Sequence, residues 1–261
     1  MELALYSAAT GMEAQQRNLD VIANDMANVN TTAYKRTKNE FQDLMYQNLK
    51  PIGVDAGDGS KTPTGVQIGN GTRLAATTKV FSQGQLNRTD EELDFAIEGQ
   101  GFFEVKLPDG RTAYSRDGSF KVDSEGKVVS TEGYEIGSGF QNIGTAREGV
   151  AVSNNGVVTV IASDGSKKTF NIQLAKFSNP SGLKSLGGNL YEATDASGEA
   201  TLGDAGQDGY GNIRQNHLEM SNVNIVQSMV NMIIAQRAYE MNSKSIQTAD
   251  EMLSKINQLK H

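Results

Sequence analysis

The residues that could do chemistry are few and scattered. Asp90, Glu91, Glu92 and Asp94 place four carboxylates within one short run, and a carboxylate pair can in principle divide acid and base roles in glycoside hydrolysis. The favoured reading of the same run is a solvated acidic turn ahead of a strand, which asks nothing further of the chain. His217 and His261 are the only histidines. A histidine metal site would need both, together with carboxylates, and His261 is the final residue. Asp204 to Asp208 with Gly209 has the outline of a calcium loop but lacks the alternating Asp/Asn ligands and the closing Glu. A chain without cysteine has no thiol nucleophile, no disulfide framework and no thiolate-bound zinc or iron–sulfur cluster. Phosphate-cradling, dinucleotide-binding, nucleophile-elbow and metalloprotease motifs are also missing. The expectation is a protein that is not an enzyme, with no catalytic residue, no cofactor and no metal.

Glycine shows how the chain is organised. Of 28 glycines, Gly11 is the only one in the first 52 residues, and none follows Gly211. Pro51, Pro63, Pro108 and Pro180 lie at the edge of that middle region or inside it. Gly and Pro disfavour helix interiors by about 1 and 3 kcal/mol, so both ends are helix-permissive and the centre is turn-rich. Charge divides in the same way. The two ends balance to zero, and the middle carries the whole net charge of −7. Neutral ends can pack against copies of themselves without accumulating repulsion. A hydrophobic share of 37% with 7% aromatic residues favours elongated modules with modest cores. The acidic balance argues against nucleic acid as a partner, and no apolar run is long enough to insert in a membrane. Met1-Glu2-Leu3-Ala4-Leu5-Tyr6 is not a Sec-type signal. The expectation is that any export proceeds without a cleaved signal peptide.

Heptad spacing marks the ends. Leu5, Met12, Leu19 and Met26 are seven apart, and a second row runs Ala8, Gln15, Ile22, Val29. Thr10-Gly11-Met12-Glu13 fits a capping box by pattern, but the seam runs straight through it. Near the other end Ile225, Met232, Tyr239, Ile246 and Leu253 repeat at seven, with Ser228, Ala235, Asn242, Ala249 and Ile256 three residues on. Ser221 or Asn222 can cap this helix, which is expected from Val223 to Lys260. The two seams could be the core of one helical bundle. They could also be termini that return to each other and pair, with surface left over for neighbouring subunits.

The middle predicts antiparallel strands. Phe102 to Leu107, a Pro108-Asp109-Gly110 turn and Arg111 to Ser115 read as a hairpin. Further turns at Arg116-Asp117-Gly118, Ser124-Glu125-Gly126, Thr131-Glu132-Gly133, Asn154-Asn155-Gly156 and Ser163-Asp164-Gly165 suggest a β-sandwich or barrel. Its expected core includes Phe120, Val122, Val128, Val129, Val157, Val158, Val160, Ile161, Phe170, Ile172 and Leu174. Phe41, Leu44, Met45 and Leu49 predict a short amphipathic helix. Lys50 to Asn87 reads as an extended arm, and Thr194 to Asn212 as a loose return linker.

Three segments together resemble one family. Asn18 to Arg36 is similar to the N-terminal signature of flagellar basal-body rod and hook proteins. Ile97-Glu98-Gly99-Gln100-Gly101-Phe102-Phe103 and Tyr114 to Phe120 resemble its central β motifs. Ser221 to Asn224, Met229 to Ile233 and Gln236 to Asn242 resemble its C-terminal signature. The resemblance implies an α+β fold: N- and C-terminal helices paired as a coiled coil, with an inserted antiparallel all-β domain and an extended arm. The expected divisions are 1–36 with 213–261 for the helical domain, 37–87 for the short helix and arm linking subunits, and 88–212 for the β-rich outer domain. It also implies a homo-polymeric hollow shaft that transmits torque across the periplasm. Leu5, Met12, Leu19, Ile22, Met26, Val29, Ile225, Met229, Met232, Ile233, Tyr239, Asn242, Ile246, Leu253 and Ile256 would form the assembly interface. Implied partners are proximal rod proteins, the hook protein, the L-ring and P-ring proteins and the flagellar type III export apparatus. Length and the Gly65 to Gly71 run favour the distal part of the rod. A proximal rod paralogue is the alternative, and a secreted cell-wall hydrolase or an adhesin would be rivals from other classes.

Overall fold

The structure, a computed structural model, describes residues 2–50, 64–144, 147–162 and 166–259. The chain divides into two compact units: Met1–Ala27, Thr37–Thr78 and Asn224–His261 form the first, Asn28–Arg36 and Lys79–Val223 the second.

The first unit is built on two long helices, α1 (Glu2–Ala27) and α2 (Ile225–Leu259), which pack against each other. Neither contains proline, and Gly11 is their single glycine. A glycine costs about 1 kcal/mol inside a helix, and the fold gives a reason for this one. A Cβ on Gly11 would lie 2.8 Å from the Asn242 amide nitrogen, so the close approach of α1 and α2 here leaves no room for a larger residue. The seam rows largely face inward: Ala8, Ile22 and Ala235 are buried, and Leu5, Met12, Leu19, Met26, Met232, Asn242, Ile246 and Leu253 are half-buried. Val29 departs from the expected row, because α1 stops at Ala27 and the chain turns at Asn28, whose carbonyl accepts the Thr31 N–H at 3.1 Å. The cap of α2 also differs from expectation. Asn224 Oδ1 accepts the Gln227 N–H at 3.1 Å, so Asn224 caps the helix rather than Ser221 or Asn222. Lys260, the expected end of this helix, lies outside the described residues.

Residues 41–49 are not helical. Thr37–Asp43 pairs with Thr72–Lys79, and Tyr46–Lys50 pairs antiparallel with Val66–Gly69, so the segment is half of a two-stranded ribbon. The spacing of Phe41, Leu44, Met45 and Leu49 suited a helix, but a partner strand downstream satisfies the backbone, and pairing overrides local pattern. The ribbon is anchored on α1: the Thr37 N–H donates to the Asp25 carboxylate at 3.1 Å, and the Thr72 N–H to Thr10 Oγ1 at 3.4 Å. The stretch Lys50 to Asn87 is thus strand over much of its described length, while its 51–63 portion lies outside the described residues.

The second unit is antiparallel β throughout its sheets. One has seven strands in the order Lys184–Gly187, Leu190–Glu192, Thr112–Ser115, Phe103–Lys106, Glu135–Ile136, Val128–Val129, Lys121–Val122. A three-stranded sheet comprises Arg147–Val152, Val157–Ala162 and Lys167–Asn171. The expected hairpin at Pro108-Asp109-Gly110 is present, with Gly110 at φ 83°. The turn at Ser163-Asp164-Gly165 lies outside the described residues. Successive strand residues face opposite ways, so Phe103 enters the main core with Phe95, Phe120, Ile136, Val158 and Leu174, while Phe102 joins a smaller cluster with Tyr114, Phe177 and Tyr191. Of the expected core, Val122, Val129, Val157 and Ile161 are only half-buried. The supposed linker 194–212 is not loose. It contributes strand Thr201–Asp204, paired with Gln173–Lys176, and Ala205 sits fully inside the core.

Asn224→Ala should lower the stability of the helical unit by about 1 kcal/mol through loss of the cap, read from a urea melt followed at 222 nm. Ser221→Ala should leave that transition nearly unmoved, since its hydroxyl does not cap the helix.

Candidate assembly surface

Two features of the molecule need explanation: apolar side chains that nothing covers, and charged side chains that nothing solvates. The uncovered apolar groups concentrate in the first unit. Along α2, Ile225, Val226, Met229, Val230, Ile233 and Ile234 are all exposed, Val226 to 72%. With Met232 and Ala235 turned inward, the first three turns of α2 are apolar nearly all round, the pattern of a helix meant to be surrounded. Of the expected assembly residues, Ile225, Met229, Ile233, Tyr239 and Ile256 are exposed, and the rest are buried or half-buried. On the ribbon Phe41, Met45, Tyr46, Leu49, Val66 and Ile68 are exposed as well. A patchwork this extensive exceeds what scattered surface residues on monomers need.

The buried charges lie in the second unit. Glu219, Lys35 and Arg116 are almost fully enclosed. Lys35 Nζ donates to Glu219 Oε1 at 2.6 Å and to the Ser82 carbonyl at 2.8 Å. Arg116 Nε donates to Glu219 Oε2 at 2.9 Å, and its other nitrogens reach the carbonyls of Gly101, Ile97 and Gly99 at 3.0–3.3 Å. The Gly84 N–H is the third donor to this carboxylate, reaching Oε1 at 2.8 Å. Gly84 has to be glycine, because a Cβ there would overlap the Met220 carbonyl. Burial alone would raise Glu219, but the charges of Arg116 and Lys35 and their hydrogen bonds outweigh it and hold the carboxyl below the usual carboxylate range. Burial lowers the Lys35 ammonium, against the pull of Glu219 and with the help of Arg116. Burial likewise pushes the neighbouring Tyr191 phenol up to about 12.

This cluster fixes backbone as well. The Glu219 carbonyl accepts the Ala33 N–H at 2.7 Å, which holds Ala33 at φ 55°. A non-glycine residue in the left-handed region costs roughly 1–2 kcal/mol, and the surrounding bonds over-determine it. Beside it, the Asn222 side chain accepts the Arg36 N–H at 2.7 Å and donates to the Val80 carbonyl at 2.8 Å. The segments 28–36, 79–84 and 216–223, which lead to the boundary of the unit, are therefore tied together by side-chain chemistry.

The other sequence candidates do not assemble into a site. Asp90, Glu91 and Glu92 are exposed, while Asp94 is buried and bridged to Ser119. The carbonyls of Glu91 and Glu92 accept amides from Asn216 and Gln215, which makes the run a turn with a structural role. His217 Nδ1 bonds the Gln215 carbonyl at 2.7 Å, and His261 lies outside the described residues. Among the described residues no group of His, Asp and Glu is placed to hold a metal. Lys35, Arg116 and Glu219 were not singled out from sequence. Lys35 and Arg116 stand inside the quoted motifs, which was the available signal.

Known proteins match along the chain. The family model described as flagella basal body rod protein matches residues 5–35, the flagellar hook protein FlgE/F/G D1 domain 96–160, and the flagellar basal body rod FlgEFG protein C-terminal 214–259. The flagellar basal-body rod protein FlgG of Borreliella burgdorferi is 45% identical over 266 residues, covering 100% of this chain and 99% of that protein. The chain belongs to the flagellar basal-body rod protein family. FlgG of Caulobacter vibrioides is 43% identical over 98% of this chain and 99% of its own. In Bacillus subtilis, FlgG is 35% identical, and the flagellar hook-basal body complex protein FlhP is 30%, each over 98% of this chain and 98% and 99% of its own. As a member of the rod family the protein is a structural subunit of the flagellar basal body, most like the distal rod protein, and not an enzyme. Each of the three matched rod-family segments supplies one member of the buried cluster: Lys35, Arg116 and Glu219.

Glu219→Gln leaves two buried cations facing each other without their anion and should cost about 3–5 kcal/mol. Lys35→Met keeps a neutral Arg116–Glu219 pair and should cost clearly less; denaturant melts of the two variants rank them. Because the folded Glu219 value is depressed, its contribution is complete above the unfolded carboxylate value of roughly 4.3 and is lost as pH falls through the folded value. The gap between wild type and Glu219→Gln should therefore narrow on acidification below that point, measured as melting temperature against pH.

Proposed function

We propose that the protein polymerises through its helical unit into a rigid hollow distal-rod shaft that carries torque to the hook. The observation that supports this most is the first half of α2, apolar on the face turned to α1 and apolar again on the face turned away. In this reading α1 and α2 pair as a coiled coil through Met12, Leu19, Ile22, Met26, Met232, Asn242, Ile246 and Leu253. Ile225, Met229, Ile233, Tyr239 and Ile256 then meet other copies. A head-to-tail contact that does not close on itself generates a helical tube, and close-packed side chains resist sliding, which is what torque transmission requires. The ribbon formed by 37–50 and 66–79 bridges subunits as part of the expected arm. Proximal rod proteins at one end, the hook protein at the other and the L-ring and P-ring proteins as bushing are the partners this placement calls for. Delivery through the flagellar type III apparatus, without cleavage of a signal peptide, fits a shaft that crosses the periplasm.

Ile233→Asp places a charge in the middle of the exposed row and touches nothing in the α1–α2 seam. It should leave the circular dichroism of the dilute protein unchanged and weaken self-association by about 2 kcal/mol per contact, seen by sedimentation velocity over a concentration series. Unchanged association would remove α2 from the interface.

A further inference from the structure

One cavity in the second unit has a chemistry that its own chain does not use. It measures about 280 Å³ and is lined by Phe81, Phe102 and Phe177 together with Gln100, Arg116, Lys176 and Ser178. That volume lies just below the range of small-molecule sites, roughly 300–1,000 Å³, and suits a single side chain. The rings meet edge to face, Phe81 with Phe102 at 5.4 Å and Phe102 with Phe177 at 5.6 Å, so the walls are rigid. On the lining, the half-buried Lys176 has no carboxylate partner among the described residues; its ammonium lies 5.8 Å from the Tyr210 ring centroid. The cavity thus offers aromatic walls to an apolar group and a free cation to a carboxylate beside it.

The first unit displays the complementary pair. Met45 is 86% exposed, the most exposed large apolar side chain among the described residues, and it sits at the break between strands Thr37–Asp43 and Tyr46–Lys50. Two residues before it, Asp43 is exposed and makes no ion pair among the described residues. An unbranched thioether is the side chain best suited to fill an irregular aromatic pocket, through favourable sulfur–ring contacts.

We propose that, in the polymer, Met45 of one copy seats in the Phe81–Phe102–Phe177 cavity of another, with Asp43 paired to Lys176. This rests on the self-assembly reading above and gives the ribbon a specific receptor. The contact is heterologous, joining a site on one copy to a different site on the next, as an open helical array requires. The charge pair fixes which way the ribbon lies, and the thioether supplies the buried area at its centre.

The cysteine-free chain makes the test direct. Met45→Cys and Ser178→Cys, mixed as single variants and allowed to polymerise, should give a disulfide-linked dimer on mild oxidation, whereas Phe41→Cys with Ser178→Cys should not. In parallel, Lys176→Asp or Asp43→Lys alone should raise the critical concentration for polymerisation about tenfold, and the two together should restore much of it. Asp43 is exposed and Lys176 half-buried, so circular dichroism of each dilute variant is compared with the unmodified chain to confirm that it folds. Polymers that form normally, with no Met45-dependent cross-link and no charge-swap rescue, would overturn this docking while leaving self-assembly standing. A cross-link favouring Phe41→Cys would also overturn it, by giving the cavity a different occupant. Failure of the unmodified chain to polymerise at any concentration would overturn both readings at once.

Discussion

A single carboxylate shared by two buried cations governs the second unit. Glu219 has Lys35 on one oxygen and Arg116 on the other, and none of the three has access to water that could compensate for a lost partner. Isolated, each charge would carry several kcal/mol of desolvation. Together, with the Gly84 amide and four carbonyls completing their bonds, they hold each other in place. The arrangement specifies geometry more than it adds stability, because a well-packed apolar trio could stabilise the fold equally. An apolar trio, however, would not fix the 28–36 segment to the 216–223 segment by direction-dependent bonds. The left-handed Ala33 and the close backbone approach that requires glycine at 84 are features that such a fixed frame imposes.

The first unit follows a different logic. Its two helices share a seam that is thin at its centre, with Gly11, Asn242 and Ala235 where a soluble bundle would place larger apolar residues. Thin seams bury little area, so pairing α1 with α2 satisfies only part of the apolar surface that the helices carry. The rest, on α2 above all, stays in water at roughly 25 cal/mol per Å² of apolar area. The two units therefore differ in how complete they are: the β unit closes its core within one chain, and the helical unit does not.

Much of this was legible in sequence, and the failures have physical causes. The two helices were visible because seven-residue spacing over a long, proline-free run has few other meanings. The hairpin at Pro108-Asp109-Gly110 was visible because its turn chemistry is local. The strand identity of 41–49 was hidden because its partner lies beyond residue 63, and a pairing decided at that distance leaves no local mark. The segment 194–212 looked loose because its glycines serve close packing, with Gly211 against the Glu98 carbonyl, rather than flexibility. The cap at Asn224 was missed by two or three residues, within a run where Ser221, Asn222 and Asn224 are all competent. The buried cluster was hardest of all, since its members lie 81 and 103 positions apart along the chain and each resembles an ordinary surface charge.

The two logics bear on each other in the proposed shaft. A subunit that must transmit torque needs stiffness in two places, within itself and between copies, and the two demands call for different chemistry. Internal stiffness is served by groups that cannot be exchanged, such as a buried carboxylate with no alternative donors. Stiffness between copies must be compatible with a soluble precursor, so it is better served by apolar surface that gains only when many copies meet. Charges buried at every contact would have to be desolvated at each addition, a cost that weighs against growth. The distribution seen here follows that division: the enclosed ionic cluster is internal to the β unit, and the first three turns of α2 expose mainly apolar side chains and no charge. The neutral balance of the two ends belongs to the same scheme, because a row of copies can bring such ends together without summing like charge.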